Sequence, residues 1–330
     1  MKSENKILIA TGGTGGHIFP GYGIAKFLFN NNYSINIITD KRGLKYLKKT
    51  HNIEVKVISS DTIFSKNFIL KVLSIFKIFF AILDSLIYLK KINPKIVLGM
   101  GGYSSFPVCA ASKILKIPFI IYENNLQIGK ANKYLLPFAE KIFVAYRELR
   151  GIKNKYLYKV VKTGNIVREE IFEFKRNQNE KKDILKILVL GGSQAARSFG
   201  EILPKVFKKC NDENIKLNIV QQCLDNQKID IEKFYTSNQI TYNLFNFSDN
   251  ILSYYSKIDL VITRAGSSVL AELLNCKIPF ISIPLPGSAD EHQYKNAKFF
   301  EDKGYALLVE EAEIESKLFS LIKSLHRDRS

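Results

Sequence analysis

The sequence predicts an α/β protein made of two doubly wound parallel-sheet domains in tandem. Three observations lead there. Short Val/Ile-rich runs alternate with helical patterns along all 330 residues, the signature of parallel sheets assembled from βαβ units. Two of these runs, 6–10 and 187–190, end in glycine-rich turns: Thr11-Gly12-Gly13-Thr14-Gly15-Gly16-His17, and Gly191-Gly192-Ser193-Gln194-Ala195-Ala196-Arg197. Each turn opens a fresh set of strands, so the pattern restarts half a chain later.

In the first half the expected strands are 6–10, 35–39, 55–59, 96–99, 119–122 and 141–145. In the second half they are 187–190, 217–221, 241–245, 260–263, 280–283 and 306–309. The join is placed near Lys162-Thr163-Gly164-Asn165, giving domains 1–162 and 163–330. The polar run 175–183 (KRNQNEKKD) reads as a surface loop of the second domain. The apolar stretch 64–89 is interrupted by Lys66, Lys71, Lys77 and Asp84. It therefore lacks the uncharged length of a membrane span and is expected to be an amphipathic helix.

A hydrophobic content of 46% is that of a folded chain, and 49 basic against 31 acidic residues leave a net charge of +18. Such an excess favours an anionic partner, or it reflects lysines scattered over solvated faces. The basic residues are dispersed, which argues against a nucleic-acid-binding tail. Cys109, Cys210, Cys223 and Cys276 form no C-x-x-C pair and no zinc spacing, so they are expected as reduced, mostly buried thiols. The polar start, residues 1–6, has no apolar core of a signal peptide.

A strand turning on glycines into a helix presents bare backbone N–H groups to anions. The first turn lacks the G-x-G-x-x-G spacing, and Asp40 is a poor candidate for a ribose-binding acid, which disfavours a nicotinamide enzyme. His17 is surplus to a phosphate cradle. At a helix N-terminus, where imidazolium is disfavoured, it suits a neutral base. Further loops end neighbouring strands: Gly99-Met100-Gly101-Gly102-Tyr103-Ser104-Ser105, and Tyr122-Glu123-Asn124-Asn125. Glu123 is a possible acid/base or ion-pair residue there, and Asn125 a hydrogen-bonding partner for a sugar hydroxyl. In the second half, Arg264-Ala265-Gly266-Ser267-Ser268 opens a helix containing Glu272. Its N–H groups suit a diphosphate and its carboxylate a ribose diol. The loop 284–291 leads into His292 and Gln293, which can read sugar hydroxyls.

The ordered set GGTGGH, GGYSSFP, YENN-x4-KAN, GNIVR, GGSQAAR, RAGSSVLAEL and PLPGSADEHQYKNA resembles the MurG family of peptidoglycan N-acetylglucosaminyltransferases, within glycosyltransferase family 28. The resemblance runs from Lys6 to about Ala297. It implies a GT-B fold of two Rossmann-like domains and inverting transfer of GlcNAc from UDP-GlcNAc to the MurNAc 4-hydroxyl of undecaprenyl-diphospho-MurNAc-pentapeptide (lipid I), giving lipid II. By motif, His17 is implied as the base, with Glu123 beside it. Gly12, Gly13, Tyr103 and Ser104 belong to the acceptor side. Thr14, Gly15, Gly16, Asn125, Arg168, Ser193, Phe247, Ser248, Arg264, Gly266, Glu272, His292 and Gln293 belong to the donor.

The chain departs from the family pattern at Tyr122, where His is usual, and at His292, where Gln is usual. It also stops at Ser330, before the C-terminal helix that the family carries, which suggests a truncated chain or a looser domain junction. No D-x-D motif stands at a strand end, so no tightly bound metal or other cofactor is expected, with Mg2+ as an optional stimulant. Expected partners are UDP-GlcNAc, lipid I, an anionic membrane surface and other cell-wall synthesis proteins, and no nucleic acid. The expected location is the cytoplasmic side of the inner membrane, as a peripheral protein. Contact would be made through the helix 68–89, with Phe68, Phe76, Phe79 and Phe80 among Lys71 and Lys77. A related UDP-sugar-dependent glycolipid glycosyltransferase, a UDP-GlcNAc 2-epimerase and a non-catalytic UDP-sugar-binding protein remain as alternatives.

Overall fold

A computed structural model describes residues 5–13, 15–47, 53–59, 68–176, 183–192, 197–248 and 250–327, the side chains of 68–72 excepted. The chain divides into two compact units, Met1–Arg168 and Glu169–Ser330.

The first unit runs β1 (Lys6–Ala10), α1 (Gly15–Asn30), β2 (Ser34–Thr39), α2 (Lys41–Leu44), β3 (Glu54–Val57), α3 (Phe68–Ile92), β4 (Ile96–Gly99), α4 (Gly102–Ile114), β5 (Phe119–Glu123), α5 (Lys130–Leu135), β6 (Lys141–Val144) and β7 (Val160–Lys162). Its sheet has the order β3-β2-β1-β4-β5-β6-β7, all pairs parallel. β1 is apolar on both faces. Leu8 and Ala10 join the core under α3, α4 and α5, and Ile9 joins the core under α1. A continuous apolar run rather than an alternating one is what a sheet covered on both sides requires.

The second unit runs β8 (Leu185–Leu190), α6 (Arg197–Asp212), β9 (Leu217–Gln222), α7 (Asp225–Ser237), β10 (Thr241–Phe245), α8 (Leu252–Tyr255), β11 (Leu260–Thr263), α9 (Ser267–Asn275), β12 (Phe280–Ser282), α10 (His292–Asp302), β13 (Leu307–Leu308) and α11 (Phe319–Arg327). Its sheet has the order β10-β9-β8-β11-β12-β13, again parallel throughout. Ile187 and Val189 pack with Phe199, Leu203 and Phe207 of α6 and Ile231 and Tyr235 of α7.

Both sheets reverse their winding next to their first strand, between β1 and β4 and between β8 and β11. Ligands of open α/β sheets bind at the C-terminal ends of the strands flanking such a reversal. The two glycine-rich turns of the first unit follow β1 and β4. In the second unit, the GGSQAAR and RAGSS turns follow β8 and β11. Topology thus puts each pair of motifs at the one place on its sheet suited to a ligand.

The strand pattern matches expectation to within two residues at each end, with one omission. β7 is three residues long, carries a lysine and is an edge strand, too short to show periodicity. The following segment, 163–168, expected in the second domain, packs with the first unit. The Tyr122 hydroxyl accepts from Ile166 N at 3.1 Å and donates to Gly164 O at 3.3 Å. Most of the polar run 175–183 lies outside the described residues. All four cysteines are free and buried, and burial pushes the Cys109 and Cys210 thiols up to about 12.

Asp40, directly after β2, caps α2 by accepting from Gly43 N at 2.8 Å, and it accepts from Gly13 N at 3.0 Å. Arg42 donates to its other oxygen through Nε (3.2 Å) and Nη2 (2.9 Å). Burial alone would raise this carboxyl, but the two N–H groups and the guanidinium outweigh it and hold it below its ordinary value. A depressed folded value means the carboxylate contributes stability above its unfolded pKa of about 3.9. That stability is lost as the pH falls through the folded value. Asp40→Asn is therefore expected to cost about 1–2 kcal/mol at pH 7. Thermal denaturation of parent and variant checks this, with the gap narrowing at pH 3 as the parent's own carboxyl neutralises.

Candidate active site

In the first unit the site is built on the reversal between β1 and β4. Gly15 opens α1, so His17 sits in the helix's first turn. Its Nδ1 lies 3.0 Å from Met100 O at the end of β4. A carbonyl can only accept, so Nδ1 carries the proton, and the ring's basic lone pair falls on Nε2. Gly101 (φ +85°) and Gly102 (φ +73°) turn the chain directly after that carbonyl. A Cβ at either would lie 3.2 Å from a carbon of the His17 ring. Both glycines are thus required twice, by the left-handed backbone and by the imidazole packed on them. The sequence marked the histidine and the glycines; only the fold shows that they form one slot.

Gly12 is equally constrained. A Cβ there would come within 2.1 Å of Ser104 Oγ. Ser104 is accordingly buried under the turn and packs against it rather than lining it. Tyr103, next to it in α4, is half-buried. The Gly13 N–H points at Asp40, so this part of the turn is not the open anion cradle the glycines suggested. Thr14 lies outside the described residues. Gly15 carries the edge of Phe19, and the Arg168 guanidinium lies 5.0 Å from that ring's centre. Arg168, expected with the donor, is thus held on the first unit by a cation–π contact.

The loop after β5 is organised by Glu123. One oxygen accepts from Asn125 N (3.1 Å) and Asn125 Nδ2 (3.0 Å), the other from Gly129 N and Asn132 Nδ2 (both 2.9 Å). A buried carboxylate with four donors organises this loop, whatever further part Glu123 plays. Asn124 donates to Gly16 O at 3.0 Å and so ties this loop to the first glycine turn. Asn125 is half-buried at the loop's outer end.

In the second unit, α9 starts at Ser267, capped by Gly266 three residues beyond β11, and Ser267 is buried in its first turn. Glu272 is buried in the second turn of the same helix. Phe247, just past β10, is 50% exposed, with Ser248 half-buried beside it. Gly192 (φ +80°) turns the chain after β8, and Ser193 lies outside the described residues. In the loop before α10, Gln293 Oε1 accepts from Leu285 N at 2.9 Å and His292 Nδ1 lies 2.7 Å from Ala289 O. Asp290 and Glu291 both take left-handed conformations there (φ +51° and +55°), a local strain that the loop's hydrogen bonds sustain.

Arg264 departs most from expectation. It is 6% exposed and faces inward. It pairs with Glu311, donates through Nη2 to Ser198 Oγ (2.9 Å) and through Nη1 to Ile283 O (3.3 Å) and Pro284 O (3.2 Å), and stacks 4.4 Å from the Phe199 ring centre. This guanidinium joins loops to one another rather than standing open to a nucleotide. Among the described residues, no three His, Cys, Asp or Glu side chains converge as metal ligands.

Comparison with known proteins agrees with this construction. Residues 7–144 match the glycosyltransferase family 28 N-terminal domain, and residues 186–330 its C-terminal domain. A UDP-N-acetylglucosamine--N-acetylmuramyl-(pentapeptide) pyrophosphoryl-undecaprenol N-acetylglucosamine transferase of Rickettsia felis is 35% identical over 97% of this chain and 91% of its own. The protein of the same description from Pelagibacter ubique is 34% identical over 95% and 87%. The crystal structure of Acinetobacter baumannii MurG superposes with a TM-score of 0.76 at 27% identity, covering 98% of this chain and 91% of that one. A UDP-glucose:anthocyanidin 3-O-glucosyltransferase in complex with UDP shares the fold alone, with a TM-score of 0.61 at 12% identity over 94% and 86%. With two Rossmann-like units of the GT-B kind and relatives this similar along nearly its whole length, the chain belongs to glycosyltransferase family 28.

Proposed function

We propose that this glycosyltransferase moves GlcNAc from UDP-GlcNAc to the MurNAc 4-hydroxyl of lipid I, forming the β-1,4 bond of lipid II with inversion. The observation that carries the reading is the alignment, over 97% of the chain, with relatives named for this transfer. The His17 slot supports it. In the proposed step Nε2 of His17 takes the proton of the 4-hydroxyl as that oxygen attacks the anomeric carbon. The bond from that carbon to the UDP oxygen breaks, and UDP leaves carrying the electron pair. The positive end of α9, capped by Gly266, faces the charge that develops on the diphosphate. Glu272 accepts from the ribose diol, Phe247 and Ser248 border the uracil, and Asn125, His292 and Gln293 meet the sugar. Mg2+ enters the proposal as a soluble stimulant, not a resident cofactor.

We also place the enzyme at an anionic membrane surface, where a lipid-linked acceptor resides. No described helix is long and apolar enough to cross a membrane. Over 73–87 α3 instead turns most of its large side chains outward, before its end buries Tyr88, Leu89 and Ile92. Phe76 (57%) and Phe80 (63%) are exposed, with Leu73, Ile75, Phe79, Leu83 and Ile87, while the small Ser74, Ala81 and Ser85 face in. A helix that buries its small residues and exposes its phenylalanines is the reverse of a core stripe, and exposed Lys77 stands among them.

UDP release from UDP-GlcNAc is expected only when a lipid I analogue is present. His17→Ala is expected to lower kcat roughly 100- to 10,000-fold while still binding UDP-GlcNAc. Full turnover in that variant, or release without the acceptor, would overturn the assignment. Gly102→Ala, which intrudes on the imidazole, is expected to lower kcat on the order of 10- to 100-fold with the donor KM unchanged, as steady-state kinetics would show. A doubly substituted Phe76→Asp/Phe80→Asp protein should keep the parent's circular dichroism and bind phosphatidylglycerol vesicles at least about tenfold more weakly; sedimentation with the vesicles decides.

A further inference from the structure

Four adjacent strands of the second sheet, β8, β11, β12 and β13, end on the same edge, and one buried side chain reaches the chain that follows each of them. Arg264 follows β11. Its Nη2 reaches Ser198 in the first turn of α6, beyond β8. Its Nη1 reaches Ile283 O and Pro284 O, beyond β12. Its ion-pair partner, Glu311, stands three residues beyond β13. The cluster is closed, because Ser198 Oγ also donates to Glu311 at 2.8 Å, and the Phe199 ring covers one face of the guanidinium. Arg264 Nε is buried without a hydrogen-bond partner. The group is therefore held mainly by its terminal nitrogens, and Glu311 is the anion that balances it.

We propose that Glu311 is a positioning residue for donor binding. By anchoring Arg264 it sets the spacing of α6, the Gly266 turn and the 284–288 loop, the segments between which the nucleotide sugar is held. The inference rests on the reading of this edge as the donor site. It gives Glu311, a residue with no place in that site by sequence, a role exerted through Arg264, and it makes Arg264 itself a staple. A lost carboxylate would leave a buried cation unbalanced, and the loops would relax around it. Donor affinity then suffers before chemistry does, because the reacting groups still assemble once donor saturates.

The test uses the full chain, with UDP titrated by calorimetry and transfer measured against UDP-GlcNAc concentration. Glu311→Ala is expected to raise the Kd for UDP and the KM for UDP-GlcNAc together, by about tenfold, with kcat at saturating donor within about threefold of the parent. Glu311→Asp, whose shorter side chain draws back the one oxygen that accepts from both Ser198 and Arg264, is expected to raise both by about threefold. Glu313→Gln, at a nearby carboxylate that pairs with Lys317 and not with Arg264, is expected to match the parent. Parental UDP affinity in Glu311→Ala, even with a lowered Tm, would overturn the inference, as would a fall in kcat with KM unchanged. Should Glu311→Ala not fold, Glu311→Asp decides by the same criterion. Phe247→Ala separates this inference from the donor-site reading. If it weakens UDP binding and the Glu311 variants do not, the staple alone is wrong. If it too leaves UDP binding unchanged, or the parent binds no UDP, the donor site is wrong and the staple falls with it.

Discussion

A charge buried at the C-terminal edge of a parallel sheet has to be hydrogen-bonded almost completely, and both halves of this protein are organised around that requirement. Asp40 draws the Gly13 and Gly43 amides and the Arg42 guanidinium onto one carboxylate. Glu123 gathers two amides and two asparagine side chains. Arg264 joins Glu311, Ser198 and two carbonyls. Loops at a sheet edge have no ladder to hold them, and an unpaired charge there is expensive enough to impose a single arrangement. Asn125 and the start of the 284–293 loop adjoin these charges directly, and Asn124 ties the Glu123 loop to Gly16, next to His17.

Much of this was legible in the sequence, and the pattern of what was not has a physical cause. Strands buried on both faces are continuous apolar runs, which is why β1, β4 and β11 came out with the bounds the fold gives them. Positions that only glycine can occupy, such as Gly101 and Gly102, were visible as residue types. What a residue type does not reveal is which way a polar side chain turns. Glu123, Ser104 and Arg264 sit inside ligand-binding motifs, and all three point into the protein. Their partners are distant in sequence, Arg264 and Glu311 by 47 residues, and no local spacing encodes such a pairing. Asp40, read from the sequence only as a poor ribose-binding acid, is an N-cap in the fold.

The helix α3 carries a different lesson. Periodicity marks an apolar stripe without saying whether the stripe faces core or solvent, and the stripe on α3 was open to either reading. The arrangement is settled by what lies on the opposite side: Ser74, Ala81 and Ser85 are small enough to let the helix lie close. The large residues Tyr88, Leu89 and Ile92 go into the core only at the helix's C-terminal end.

Tyr122 stands where the family pattern has a histidine, and its hydroxyl holds the 164–166 strap by one donated and one accepted hydrogen bond. Burial raises that phenol well above its ordinary value. An imidazole at this place would gain and lose a proton near neutrality. The phenol keeps its proton across the range in which an imidazole titrates, so this strap is fastened by a latch blind to that change. The connection between the end of β7 and the second unit is thereby insulated from pH near neutrality, whatever the titration of the histidine at the first glycine turn.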